Sequence, residues 1–208
     1  MSENIYCAAG VSPIEDLMRG HGVLHRVLLI YAEINKRLKN GCCVNYSVIY
    51  RAALQTAEIA KVFIEDYHQE LENKYIFPLF KEDESFVPVI NTLLEQHRAA
   101  NRITSDILRV LERGVPNNAA RPRLLCLTES YIRMYRPHSA REDTFIFPEV
   151  HRLISAEKWN ELGDNFEELE QERFGKNGFE AIAEKLSETE KALGIHNLGQ
   201  FTPRFLAR

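Results

Sequence analysis

Two stretches of this chain repeat one arrangement of metal-capable side chains. His138 is followed four residues later by Glu142 and then by Phe145-Ile146-Phe147-Pro148. His68 is followed in the same way by Glu72 and then by Tyr75-Ile76-Phe77-Pro78. On a helix the i and i+4 side chains share one face, so each copy can aim an imidazole and a carboxylate at a single point. A further histidine precedes each copy in a matching context: Leu17-Met18-Arg19-Gly20-His21 parallels Leu93-Leu94-Glu95-Gln96-His97. One inward histidine is normally a hydrogen-bonded core residue. Four at matching positions, two with a glutamate one turn on, are different, because two buried carboxylates need positive partners. A pair of metal ions supplies them. The candidate ligands are His21, His68, Glu72, His97, His138 and Glu142.

The donor types narrow the metal. Four imidazoles and two carboxylates give each ion two nitrogens, with the carboxylates placed to bridge. An oxide or hydroxide bridge (Fe-O-Fe or Fe-OH-Fe) would complete five-coordination and leave an open position on each ion. Mixed nitrogen and oxygen donors with open positions suit non-haem iron, ahead of manganese or zinc. The absence of cysteine from the set argues against a closed structural zinc site. Ferritin-like bundles use Glu-x-x-His and more carboxylates. The more imidazole-rich set here is less anionic, which favours reversible binding of a small diatomic ligand over storage of ferric mineral.

The residues around the candidate ligands predict helices throughout. Ser12-Pro13 opens the first, with Ser as N-cap, Pro at the first helical position and Glu15 and Asp16 in the first turn. Leu17, His21, Leu24, Leu28, Tyr31 and Leu38 form its inward stripe, and Asn40-Gly41 ends it. A second, long helix starts near Asn45 or Ser47 and carries His68 and Glu72, with Pro78 bending or ending it. A third follows Pro88 and carries His97 up to the turn Gly114-Val115-Pro116-Asn117-Asn118. The fourth begins around Pro122 and carries Tyr131, Met134 and His138. Pro137 lies inside it, so a kink or a widened turn is expected at His138. Two helix hairpins of one plan make an all-α, up-down four-helix bundle over residues 13–154, after an arm at 1–12. Residues 155–208 add amphipathic helices, one with Trp159, Leu162, Phe166 and Leu169 and one with Ile182, Leu186 and Leu193. They either cap the bundle or form a homodimer surface.

Composition excludes several classes. With 26 Lys and Arg against 30 Asp and Glu, and no basic run, the chain lacks the electrostatic footprint of a nucleic-acid binder. No apolar stretch approaches the roughly 20 residues that span a bilayer. Residues 1–10 lack a signal-peptide layout, so a soluble, cytoplasmic protein is expected. Cys7, Cys42, Cys43 and Cys126 contain no Cys-x-x-Cys pair and read as reduced, incidental thiols.

The series His21, His68-x-x-x-Glu72, His97 and His138-x-x-x-Glu142, with a Phe-Pro after each pair, resembles the hemerythrin-like (HHE cation-binding) family over residues 13–152. The resemblance implies a four-helix bundle with an oxo- or hydroxo-bridged di-iron centre. The family's roles include binding or sensing of oxygen or nitric oxide, peroxide handling and repair of damaged iron centres. In oxygen carriers a second histidine follows the third-helix ligand by one turn, where this chain has Asn101. The last motif of those carriers closes on a more distant aspartate, where this chain has Glu142. Both departures weigh against simple oxygen carriage. His25, four residues after His21, stands at the place symmetry-equivalent to Asn101. It would be either a fifth imidazole for the opposite ion or, as expected, a supporting or surface residue.

The function expected on these grounds is a non-haem di-iron protein that binds or senses oxygen or nitric oxide. The alternatives are a di-iron redox enzyme turning over peroxide or nitric oxide, an iron donor for repair, and an iron- or redox-responsive interaction module acting through the tail helices. Glu65, Asp66 and Glu70 are candidates to orient a ligand imidazole. Tyr131, on the His138 face, is expected to be a core residue, as are the other tyrosines near the ligand turns. His151 and His196 read as surface residues.

Overall fold

In a computed structural model of the chain, residues 11–41, 45–112, 114 and 120–203 are described. All regular structure among them is helical. The first arm of the bundle is α1 (Pro13–Asn40). The Ser12 side chain accepts from the Glu15 N–H at 3.2 Å, and Gly41 ends the helix in a left-handed conformation at φ 64° that glycine adopts without strain. The second arm starts with α2 (Tyr46–Ile59), capped by the Asn45 side chain. It continues without a break through a π-helical stretch (Ala60–His68), a short α3 (Gln69–Leu71), a second π-helical turn (Glu72–Ile76) and a 3₁₀ turn (Phe77–Phe80). The third arm is α4 (Val87–Leu111). The fourth is α5 (Ala120–Arg141), a π-helical turn (Glu142–Ile146) and α6 (Phe147–Leu153).

The widened turns correct the expectation placed on Pro137. The α5 helix runs through Pro137 and His138, and its π turn begins only at Glu142. The second arm has the same turn at Glu72 with no proline before His68. What the two copies share lies downstream. Pro78 and Pro148 have no N–H to donate and their rings crowd the carbonyl four residues back. The preceding N–H then bonds one residue further: Phe77 to the Glu72 carbonyl and Phe147 to the Glu142 carbonyl.

The core runs the length of the bundle through Leu17, Leu24, Ile30, Ala53, Ile64, Ala100, Ile107 and Leu124. Two further helices, α7 (Ala156–Phe174) and α8 (Gly178–Ala192), lie against the first and second arms. Phe166 meets Tyr75, Phe174 meets Tyr67 edge-on at 5.3 Å, and Phe179 and Phe174 both meet Phe63. Arg26 is held bidentately by Glu190 at 2.8 and 2.9 Å. The tail's apolar face is thus covered by the bundle of the same chain. No helix is long and apolar enough to cross a membrane among the described residues. Cys126 is free and exposed, whereas Cys7, Cys42, Cys43 and most of the 1–12 arm lie outside the described residues.

Candidate metal centre

All six candidate ligands come together at mid-bundle. They form two groups of donors, His21 with His68 and Glu72, and His97 with His138 and Glu142, each able to hold a metal ion. Every one is at most 3% exposed. The two i, i+4 pairs have the geometry that the helix spacing requires: His68 Nε2 lies 3.2 Å from Glu72 Oε1, and His138 Nε2 lies 3.1 Å from Glu142 Oε2. Each carboxylate also reaches across to the other group. Glu72 Oε2 is 3.4 Å from His97 Nε2, and Glu142 Oε2 is 3.3 Å from His21 Nε2. The carboxylates therefore lie between the groups, where a bridging ligand would.

The donor atoms fit metal better than one another. Both oxygens of Glu72, both oxygens of Glu142 and His68 Nε2 are buried with no hydrogen-bond partner. His97 Nε2 and His138 Nε2 face each other at 3.1 Å. Buried acceptors left in this state cost free energy unless a cation satisfies them.

A family model, the hemerythrin HHE cation binding domain, matches residues 12–150. The chain belongs to the hemerythrin family. Among its relatives are uncharacterised proteins of Mycobacterium tuberculosis and Mycobacterium bovis. Each is 38% identical over 194 residues, which covers 93% of this chain and 74% of the relative. No solved structure matches the chain.

The Phe-Pro signature of this hemerythrin-like bundle now has a structural reason. Phe147 stacks on the His21 ring at 5.4 Å, and Phe77 stacks on the His97 ring at 5.6 Å. Each π turn sets the phase that brings its phenylalanine over an imidazole of a neighbouring arm. The residue after each ligand glutamate holds the same imidazole from its other nitrogen. Asp143 Oδ1 accepts from His21 Nδ1 at 2.7 Å, and Asn73 Oδ1 accepts from His97 Nδ1 at 2.9 Å. Gln96 Oε1 accepts from His138 Nδ1 at 2.8 Å. These acceptors fix the tautomer that leaves Nε2 free for a metal. Their positions were legible in the repeat, one residue after each glutamate and one before His97, but only the packing of the arms shows which imidazole each one holds.

Glu65, Asp66 and Glu70 do not orient an imidazole. Asp66 takes Lys61 at 2.6 Å, Glu70 takes Arg173, and Glu65 is buried with Lys61 Nζ 3.7 Å away. Here the expectation is corrected: their partners are Lys61 and Arg173, and the imidazole acceptors are Asp143, Asn73 and Gln96. His25 lies outside both donor groups, exposed, with Nε2 3.1 Å from Ser139 Oγ. His151 and His196 are exposed. Tyr131 is fully buried, between Tyr31 at 5.6 Å and Tyr135 at 4.6 Å, and Tyr135 meets the His138 ring edge-on at 5.1 Å.

Without metal the site's protonation is uneven. Burial disfavours the charged form of His21, but the carboxylates of Asp143, Glu142 and Glu72 outweigh it and raise the imidazole to about 10. Burial lowers His97 to about 4, with His138 and His68 adding to the effect against the pull of Glu72 and Glu142. Burial works to raise Glu142, yet His138 and His21 hold it well below the usual carboxylate range. A metal bound at these nitrogens would compete with protons for them.

Gly20 stands where a side chain does not fit. A Cβ there would lie 2.3 Å from His68 Nδ1 and 2.8 Å from its Cε1. Alanine in an exposed helix interior normally stabilises by about 1 kcal/mol over glycine. Gly20→Ala is instead expected to displace the His68 ring and weaken metal binding by about 10-fold or more. Gly22 has nothing within 4 Å of its notional Cβ, so Gly22→Ala should leave binding intact. Metal titration of the two variants side by side checks this, and equal affinities would contradict it.

Proposed function

We propose that this hemerythrin-family chain holds two non-haem iron ions, through His21, His68 and Glu72 and through His97, His138 and Glu142, and uses them to bind or sense oxygen or nitric oxide. The observation that carries the reading is the buried pair of carboxylates, each lying between two imidazole groups with its oxygens otherwise unpartnered. Iron at such a site supplies reversible ligation of a diatomic molecule. The chain's own residues do the rest. Phe77 and Phe147 cover imidazole faces and exclude bulk water. A cleft of about 660 Å³ reaches His97 past Asn101 and Gln69, wide enough for a small ligand. Asn101 donates to Gln69 Oε1 at 3.0 Å and accepts from Lys61 at 3.2 Å, so the position that carries a second histidine in oxygen carriers is here part of the cleft wall.

A second reading, redox turnover of peroxide or nitric oxide at the same residues, is favoured by the oxidisable series Tyr135, Tyr131 and Tyr31 beside His138. Elemental analysis with visible spectra before and after reduction tests the metal. Stopped-flow mixing of the reduced protein with oxygen, nitric oxide and peroxide then separates the readings. A stable adduct is expected. Repeated turnover in the presence of a reductant would shift the assignment to an enzyme.

A further inference from the structure

The two halves of the centre match in their ligands but not in what stands behind them. In the first half, the His21 imidazole is backed by a carboxylate, Asp143, at 2.7 Å. In the second half both imidazoles are backed by neutral amide oxygens, Asn73 on His97 at 2.9 Å and Gln96 on His138 at 2.8 Å. A carboxylate behind an imidazole makes it a stronger donor, and such outer partners typically change metal affinity by about 10- to 100-fold. An amide carries no charge and gives less.

Access differs in the same direction. Of the six ligands only His97 lines the cleft. In the first half the His68 ring fits against the Gly20 backbone, while the phenylalanine cover is the same in both halves, Phe147 on His21 and Phe77 on His97.

We infer that the two positions are unequal: the His21–His68–Glu72 ion is the tightly held resident, and the His97–His138–Glu142 ion is the weaker, exchangeable one that meets ligands entering through the cleft. This rests on the reading of the six residues as a two-metal site. The positions that create the inequality are Asp143 against Asn73, and Gly20 against Gln96. They are paired by the internal repeat, so the asymmetry lies in the sequence outside the ligand set.

The test is a titration of the metal-free protein with cobalt(II) at mildly alkaline pH, followed by calorimetry and by the ion's visible bands. Two steps separated by at least about 10-fold in affinity are expected. Asp143→Asn should weaken the first step by about 10- to 100-fold and leave the second in place. Asn73→Asp should strengthen the second step, a gain that general damage to the fold cannot produce. Azide should leave the cobalt spectrum unchanged at one equivalent of metal and alter it at two. Uptake of both ions in a single step would overturn the inequality while leaving the two-metal reading standing. So would an Asp143→Asn effect confined to the second step, no gain from Asn73→Asp, or an azide response at one equivalent. Failure of the wild-type chain to bind cobalt at all would overturn the two-metal reading itself, and this inference with it.

Discussion

Alanine at His68 and His138 together is expected to abolish binding of both ions. Each histidine belongs to a different donor group, and each is the i, i+4 partner of the glutamate in its group. Removing both leaves His21 with Glu72 and His97 with Glu142, too few donors to close either site. The effect should be visible in stability as well as in metal content. A ligand present at about 1,000 times its dissociation constant stabilises the folded state by about 4 kcal/mol. For a chain of 208 residues this corresponds to a rise of roughly 10 °C in melting temperature. Wild-type protein should show that rise on adding iron(II) without oxygen, and the double variant should show none. Retention of the full metal complement by the variant would refute the ligand assignment. The metal-free proteins need to be compared first, because losing His138 also removes one of the two imidazoles, His138 and His21, that hold Glu142 ionised.

Glu65→Gln is expected to stabilise the metal-free protein above neutral pH and to matter little in mild acid. Glu65 is 5% exposed and neither of its oxygens has a hydrogen-bond partner. Burial pushes its carboxyl up to about 7, against the pull of Thr104 and Lys61. The unfolded chain, by contrast, releases that proton near 4.5. Between these values the folded state binds more protons than the unfolded one, so the contribution of Glu65 to stability falls as pH rises. Above about 7 the loss is complete, at roughly 3 kcal/mol. Glutamine keeps the shape, carries no charge at any pH and escapes the loss. Urea denaturation of both proteins at about pH 5 and about pH 8 measures the difference. An equal shift at both pH values would mean that Glu65 is ionised in the folded state throughout.

The neighbours of Glu65 show how far local sequence reaches. The sequence places Glu65 three residues before His68 and so puts it near the ligand turn. A single helix has no means of revealing that its other neighbours are Lys61, one turn back, and Thr104 on a different arm. Nor does it reveal that the carboxylate influences Tyr31, Tyr131 and Tyr135, all of which burial pushes up. An acidic residue near a histidine motif reads naturally as a hydrogen-bond acceptor for that histidine. The acceptor on His21 is instead Asp143, 122 residues away in the chain.

The repeated His-x-x-x-Glu and the lone histidines at matching offsets determine the set of candidate ligands, because a helix fixes which side chains share a face before any packing occurs. Periodicity likewise determines the all-helical class, the caps at Ser12 and Gly41 and the order of the four arms. Tertiary structure decides how the ligands are divided and supported. The carboxylates come to lie between the donor groups, Phe77 and Phe147 come to cover imidazoles of other arms, and the tail helices cover the first and second arms. The widened turn is the clearest case. Pro137 stands beside a ligand and draws attention, yet the helix passes through it. Pro78 and Pro148 act six residues after each ligand glutamate, because a missing N–H changes the turn before it. Register between arms depends on contacts far apart in the chain, and these no local spacing encodes.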